Sequence, residues 1–239
     1  MRDDLIKSHI RPVLSRELLL DLEDRVLAEA VKAFEMIRDH SGLSGKRARG
    51  AEGQARFRMM EQGFEEVCGL HGGHLLEGSV IPDTELQVFQ PFMRFDTGNP
   101  GVILGLASMP EPKALPAKNM SRQAGVSVNY ELVPRLDFDG KSAKIGDIFV
   151  LLLVSRDREN PGKIEEIAIG VINSDYEHFL FYERLDQFLS GEEALPPTSP
   201  EPPTPPAALP PPVVVLKKRP VPFQPPEEVA DTERSGVIK

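Results

Sequence analysis

Residues 148–154 read Ile-Phe-Val-Leu-Leu-Leu-Val, an uninterrupted apolar run bounded by Asp147 and Ser155. A strand that is buried on both faces has such a continuous run, whereas a half-exposed strand alternates apolar and polar residues. Seven residues is a usual length for a strand and too short for most helices. The run therefore predicts a central strand, and the rest of the fold can be assigned outward from it.

Strand-like segments occur on both sides of this run, at residues 86–95, 102–107, 126–132, 167–171 and 179–182. An Asp-Thr-Gly-Asn-Pro-Gly turn at 96–101 predicts a hairpin between the first two. Residues 126–132 alternate apolar and polar side chains, which is typical of a half-buried strand. Because the turns between segments are short, they favour antiparallel neighbours. Residues 108–124 have no clear period and predict a long connection.

The N-terminal region has helical periodicity instead. Apolar residues spaced by three and four predict an amphipathic helix over residues 15–40, which begins at Ser15 and ends in the Gly- and Ser-rich residues 41–45. The same spacing predicts a second helix over residues 51–70, and Pro12 separates the long helix from a shorter one at residues 3–10. The stripe of the long helix is formed by Leu19, Leu22, Val26, Ala30, Ala33 and Ile37, and is widened by Leu27, Val31 and Phe34.

Proline content separates the C-terminal region from the rest. Residues 190–239 hold 14 of the 23 prolines, and prolines prevent helices and central strands. We therefore expect an α+β fold in which N-terminal helices (residues 1–74) pack on a mainly antiparallel five- or six-stranded sheet (residues 75–189) as one domain. Residues 190–239 are expected to form a disordered, proline-rich tail.

Composition excludes several classes of protein. The chain has 239 residues, a formal net charge of −9 and a single cysteine, so a disulfide framework is excluded. No apolar run approaches the ~20 residues that span a bilayer, so we expect no membrane partner. The N-terminus has no secretory signal pattern, and we expect a cytoplasmic protein. The acidic net charge disfavours attraction of the whole chain to nucleic acid.

Cys68, His71 and His74 form the first candidate site, because thiolate and imidazole are zinc ligands. Glu77, Asp83 or His178 would supply a fourth ligand. The alternatives are a thiolate–imidazolium nucleophile and a structural interpretation, in which Cys68 lies on the buried face of the second helix and the glycines after it end that helix.

A second candidate site is a basic cluster around the start of the second helix, opposed by Glu52 alone. Helix N-termini and arginines favour anions, so phosphate or nucleic-acid binding is one interpretation, and a solvated surface is the other. The cluster consists of Lys46, Arg47, Arg49, Arg56 and Arg58.

A third pattern concerns carboxylates. Pro82-Asp83, followed at a distance by Glu111-Pro112-Lys113, resembles the PD-(D/E)-x-K signature of a large nuclease superfamily. The resemblance implies Mg²⁺ on Asp83 and Glu111, with Lys113 near the attacking water. The superfamily sets the second acidic residue and the lysine on a strand, and Pro112 argues for a loop here. Asp147 with Glu165 or Glu166 is another carboxylate pairing, without a matching lysine.

Two segments of the tail have the features of contact motifs. Arg219, Pro222 and Pro225 match the pattern that SH3-type grooves bind, and residues 213–216 are an apolar tetrad followed by three basic residues. A solvated spacer is the alternative for the first of these.

No catalytic constellation has the required spacing, whereas the amphipathic helix, the long connection and the tail are contact features. We therefore expect a non-catalytic protein, without a cofactor, that binds a macromolecular partner, most simply a protein. The alternatives are a metal-dependent hydrolase or nuclease that uses Zn²⁺ or Mg²⁺, and a nucleic-acid-binding protein that uses the cluster at residues 46–58.

Overall fold

The fold is α+β, with N-terminal helices preceding a six-stranded, mostly antiparallel sheet. The computed structural model describes residues 2–76, 90–96, 101–132 and 146–190. Their helices are α1 (Arg2–Ile10), α2 (Arg16–His40), α3 (Gly45–Leu70), α4 (Met120–Ser127) and α5 (Leu185–Ser190), with a 3-10 helix at Val128–Leu132. The strands are β1 (His74–Leu75), β2 (Phe92–Phe95), β3 (Val102–Met109), β4 (Ile148–Arg156), β5 (Ile164–Ile172) and β6 (Phe179–Arg184).

The ends of α2 follow the predicted capping pattern. The Ser15 hydroxyl accepts a hydrogen bond from the Leu18 amide at 3.2 Å, so one of the unpaired amides of the first turn has a partner. At the other end, the Ser41 amide and hydroxyl both donate to the Ile37 carbonyl. Local sequence therefore determines where this helix begins and ends. Helix α3 begins at Gly45, six residues before the predicted start.

The strands are hydrogen-bonded in chain order, from β1 to β6. Strands β2 and β3 form the predicted hairpin, with Phe95 opposite Val102. Strands β3 and β4 are parallel, in register from Val102 opposite Ile148 to Met109 opposite Ser155. The prediction of antiparallel neighbours was wrong for this pair, because a parallel pair needs a crossover and the chain between residues 110 and 147 supplies one.

The crossover also corrects the strand predicted at residues 126–132. Those residues lie in the last turn of α4 and in the 3-10 helix, so the alternating pattern did not indicate a strand. Val126 is fully buried against the sheet, and Asn129 is hydrogen-bonded to strand β4. The alternation therefore does not follow burial, since the polar Asn129 is fully buried and Tyr130 is exposed.

The sheet is covered on both faces, which explains the apolar run of β4. Ile148, Val150, Leu152 and Val154 face the core formed with α1, α2, α3 and α5. Phe149, Leu151 and Leu153 face the second core, which includes Val126 of α4. Burial of a large apolar side chain stabilises a fold by about 1.5–3 kcal/mol, so two such layers make β4 the centre of stability.

Part of the α2 surface does not pack in the core. Leu19, Leu22 and Val26 are buried as predicted, but Leu27 and Val31 are 39% and 45% exposed. The buried stripe of α2 is therefore narrower than the sequence indicated. Among the helices that the structure describes, none is long and apolar enough to cross a membrane.

Candidate functional site

The parallel pair β3–β4 has two different ends. Here the amino end means the start of both strands, at Val102 and Ile148, and the carboxyl end means their last residues, at Met109 and Arg156. In α/β sheets, ligands commonly bind beside the carboxyl ends of parallel strands, where the connecting loops open a crevice. A ligand site is therefore expected at the carboxyl end of this pair.

A cavity of about 340 Å³ lies at the carboxyl end. Three arginines from different elements line it: Arg56 from α3, Arg156 from the end of β4, and Arg158 from the turn that follows. We call this cavity the arginine pocket. Its other lining residues are Met60, Ser108, Met109, Pro110, Val154 and Ile164.

Strand register explains the convergence of these side chains. Side chains alternate between the two faces of a strand, and Val154 faces the core shared with α3, so Arg156 points to the same face. Ser108 is opposite Val154 in the parallel ladder and is exposed. Helix α3 crosses this face with Arg56 and Met60 one turn apart. The pocket thus forms where α3 passes over the ends of two strands.

The three guanidinium groups differ in their partners. Arg56 is half-buried, and its Nη1 lies 3.1 Å from a Glu52 carboxylate oxygen. Arg158 is exposed and donates to the Pro110 carbonyl at 3.0 Å, with a Glu111 oxygen at 3.5 Å. The Arg156 side chain is exposed and has no ion pair within the described part of the chain.

Burial lowers the pKa of the Arg56 guanidinium. The Glu52 carboxylate opposes that shift, and the positive charge of Arg156 adds to it. Like charges that lie close together raise the free energy of a site until an ion of opposite charge enters. The arrangement is therefore suited to an anion.

Arg122, in the first turn of α4, is a further arginine near this end of the sheet. Its side chain is only 8% exposed, and burial lowers its pKa, while Tyr176 and Glu61 act in the opposite direction. The Asn119 side chain caps α4 by accepting from the Arg122 amide at 2.8 Å. Glu61 accepts hydrogen bonds from Arg58 and Gln90, and Gln90 accepts one from Asn119. This network links α3 to the start of α4.

Tyr182 lies in a neighbouring cavity of about 360 Å³ with Lys113 and Glu166. Its hydroxyl donates to the Glu166 carboxylate and accepts from the Lys113 amide at 3.1 Å. Burial, together with the hydrogen bond to Glu166, raises the pKa of the Tyr182 hydroxyl. A phenol with a raised pKa stays protonated, so Tyr182 is suited to holding Glu166 in place.

The structure separates the residues of the proposed zinc site. Cys68 is fully buried in the core, and burial raises the pKa of its thiol. His71 follows the end of α3, and its Nε2 lies 2.7 Å from an Asp21 oxygen on α2. His74 is exposed in β1, opposite Arg94. Within residues 2–76, 90–96, 101–132 and 146–190, no three His, Cys, Asp or Glu side chains are grouped closely enough for a metal ion.

The acidic candidates are dispersed as well. Asp147 lies at the amino end of β4, whereas Glu166 lies opposite Ser155 at the carboxyl end, about 26 Å away along the strand. Glu111 is exposed beside Arg158. The backbone amide of Lys113, rather than its amine, contacts Tyr182. Glu77 and Asp83 lie outside the described residues, so metal binding through them stays a prediction.

Helix α3 divides the predicted basic cluster. At 100° per residue, Arg49 and Arg56 lie on one side of the helix, and Arg47 and Arg58 lie on about the opposite side. Lys46, Arg47 and Arg49 are exposed, while Arg58 is paired with Glu61 at 2.8 Å. Only Arg56 reaches the arginine pocket.

Arg156, Arg158 and Ser108 are the residues of this site that sequence reasoning missed. None of the candidate sites predicted from the sequence included these three residues. The available signal was the position of two arginines directly after the central apolar run, where the carboxyl end of a buried strand reaches solvent. No protein-family model matches the chain, and no curated protein and no solved structure shows significant similarity to it.

Proposed function

We propose that this protein is a non-catalytic binding module that holds a macromolecular partner, a protein, by an anionic group at the arginine pocket. The observation that carries the proposal is the convergence of Arg56, Arg156 and Arg158 on one cavity from three separate elements. Glu52 holds Arg56 at 3.1 Å and the Pro110 carbonyl holds Arg158 at 3.0 Å, so two of the three donors are positioned before the ligand arrives.

The surroundings of the arginines support a specific contact. Met60, Val154 and Ile164 give the pocket an apolar wall, and Arg56 is half-buried beside it, whereas Arg156 and Arg158 are exposed at the rim. Hydrogen bonds between charged groups are about twice as strong as neutral ones, and they strengthen further where water is excluded. An anionic side chain that reaches Arg56 would therefore bind more tightly than one that contacts a single exposed arginine.

The charge of the whole chain favours a protein over a nucleic acid as the partner. With a formal net charge of −9, the chain repels a long polyanion at a distance, and only local contacts attract one. An acidic segment of a protein can present a single negative group to the pocket without bringing a long run of phosphates close to the acidic surface.

Residues 1–189 act as one domain in this proposal, and residues 190–239 are a proline-rich tail that adds a second contact. The proposal for the tail depends on the basic residues 217–219 and the prolines beside them, which lie outside the described residues. The role of the tail is tested by comparing the proteins that the full chain captures with those captured by a chain that ends at Ser190. Identical partners at identical yield would remove the tail from the proposal.

The pocket itself is tested by titration calorimetry of the full chain with an Asp- and Glu-rich peptide and with its Asn- and Gln-substituted form. We expect only the acidic peptide to bind, and Arg156→Gln to weaken binding about tenfold, since charge-assisted hydrogen bonds contribute about 1.5–3 kcal/mol. Arg47→Gln is the matched control, because Arg47 is exposed on the other side of α3. Equal binding of the two peptides would contradict the proposal.

Nucleic-acid binding is a second candidate, favoured by the exposure of Lys46, Arg47 and Arg49 at the start of α3. It predicts an affinity for DNA that falls steeply with salt, since phosphate contacts release counterions. It also predicts weaker binding after Arg56→Ala and Arg58→Ala. Absent or salt-independent retention on a DNA column would dismiss this candidate.

A further inference from the structure

We infer that the anionic group held by the arginine pocket is a phosphate monoester on a side chain of the partner protein. The inference rests on the proposed function and narrows it. It depends on the directions from which the donors approach, on the charge balance of the pocket and on the size of the cavity.

The donors approach from several directions. Arg56 enters from the helix layer, Arg156 from the end of β4 and Arg158 from the β4–β5 turn, while the exposed Ser108 adds a hydroxyl from β3. A carboxylate has two oxygens in one plane and is satisfied by a single bidentate arginine. A phosphate monoester has three peripheral oxygens arranged around phosphorus and can accept from all these directions.

The charge balance favours a dianion. The Glu52 carboxylate is paired with Arg56 at 3.1 Å and offsets its charge. The contact between Arg158 and Glu111 at 3.5 Å joins two side chains that are each more than 60% exposed, so it offsets little. Arg156 has no ion pair among the described residues. About two positive charges are left, which matches the −1.5 to −2 of a phosphate monoester at pH 7.

The size of the cavity indicates that the phosphate is attached to a side chain. A volume of about 340 Å³ is several times that of one water molecule in the liquid, about 30 Å³, and exceeds what a lone phosphate fills. The remaining space borders the partly exposed Ile164, beside the buried Met60 and Met109, which gives a side chain that carries the phosphate an apolar surface to contact. A free phosphate ion would leave these apolar contacts unused.

The test titrates the full chain with four probes: a short phosphoserine peptide, the same peptide unphosphorylated, its glutamate form, and inorganic phosphate. We expect the phosphoserine peptide to bind at least about tenfold more tightly than the other three, because it alone offers both a dianion and a side chain. Its affinity should rise between about pH 5 and pH 7, as the second phosphate ionisation occurs near 6, while that of the glutamate form stays nearly flat.

Two arginine variants locate the binding. Arg156→Gln should weaken phosphopeptide binding about tenfold or more, and Arg38→Gln, at an exposed arginine on α2 outside the pocket, should change it less than about twofold. Circular dichroism of both variants confirms that they fold. If the two variants bind alike, the pocket is not the phosphate site.

The remaining outcomes separate this inference from the proposed function. Equal affinities for the phosphoserine and glutamate peptides would overturn the phosphate inference and leave binding of an acidic partner intact. Equal affinities for inorganic phosphate and the phosphopeptide would overturn the assignment to a side chain. If none of the four probes binds, and the acidic peptide does not bind either, both the inference and the proposed function are overturned.

Discussion

The two ends of the β3–β4 pair differ in how their polar groups are used. At the amino end, the Arg94 Nε donates to Asp147 at 2.7 Å, and Asp147 also accepts from the Gly101 amide at 3.2 Å. Asn129 is fully buried there and makes three hydrogen bonds to the backbone of Phe149 and Ile172. These polar groups are therefore hydrogen-bonded to other groups of the fold.

At the carboxyl end, the arginine pocket holds cations in excess of the carboxylates nearby. The charge of Arg156 opposes that of Arg56, and Arg158 has a hydrogen bond to the Pro110 carbonyl but only a weak ion pair, with Glu111. Polar groups that are hydrogen-bonded within the fold stabilise it. Charged groups around a cavity that are not balanced by opposite charges in the fold are instead suited to binding a ligand ion. Substitutions at the two ends should therefore have effects of different size and sign.

The largest expected effect comes from Asn129→Ala at the amino end. The substitution removes three buried hydrogen bonds and leaves two carbonyls and one amide without partners, which should lower the free energy of unfolding by about 3–5 kcal/mol. Urea denaturation measures the change. Asn160→Ala, in an exposed turn, is the control and should cost less than about 1 kcal/mol. A loss at Asn129 no larger than the loss at Asn160 would show that the amino end does not depend on this side chain.

Gly125→Ala tests the helix that connects the two ends. A methyl group at this position of α4 would overlap the Phe149 ring, which is held edge-on by Phe92 at a centroid distance of 4.9 Å. Overpacking of this kind costs about 1–3 kcal/mol, which exceeds the gain in helix propensity.

The matched control for that substitution is Gly53→Ala, on α3, where nothing lies within 4 Å of the added methyl group. Helix propensity alone should then stabilise the protein by about 0.5–1 kcal/mol. Thermal denaturation of the two variants should therefore shift the midpoint in opposite directions. Shifts of the same sign would mean that α4 does not pack on Phe149 in this way.

The sequence predicted this architecture where its apolar pattern matches the burial of the side chains. The helix over residues 15–40 repeats apolar residues at helical spacing, and the strand at 148–154 is apolar at every position because both of its faces are buried. Residues 126–132 alternate apolar and polar side chains, but the polar Asn129 is fully buried and Tyr130 is 42% exposed, so the hydrogen bonds of Asn129 decide their conformation instead. With a strand wrongly placed there, the crossover was not apparent, and the parallel pairing could not be predicted.

The site was predicted only in part, for a related reason. Arg56 was named as a member of a basic cluster, since clustering along the chain is visible in a sequence. Its association with Arg156 and Arg158 depends on the crossing of α3 over the ends of β3 and β4, which is tertiary structure. Helical geometry alone could have shown that Arg56 and Arg58 point in different directions.

Arg94→Gln at the amino end should have a smaller effect. Arg94 forms charged contacts with Asp147 and Asp96, but its side chain is 37% exposed, so solvent weakens them. We expect a loss of about 0.5–1 kcal/mol that shrinks at high salt. Arg38→Gln, which removes an exposed pair with the adjacent Asp39, should change stability by less than about 0.3 kcal/mol. A loss at Arg94 that does not depend on salt would exclude ion pairing as its cause.

Arg156→Gln at the carboxyl end should have the smallest effect on the free protein, and its sign should be opposite to that of Arg94→Gln. Removal of this charge relieves the repulsion on Arg56 without breaking an ion pair among the described residues, so stability should rise by up to about 0.5 kcal/mol. Denaturation curves of the two variants, measured side by side in a buffer free of phosphate and sulfate, provide the test. If Arg156→Gln destabilises the free protein as much as Arg94→Gln does, the arginines of the pocket stabilise the fold, and the polar groups at both ends of the parallel pair have the same structural role.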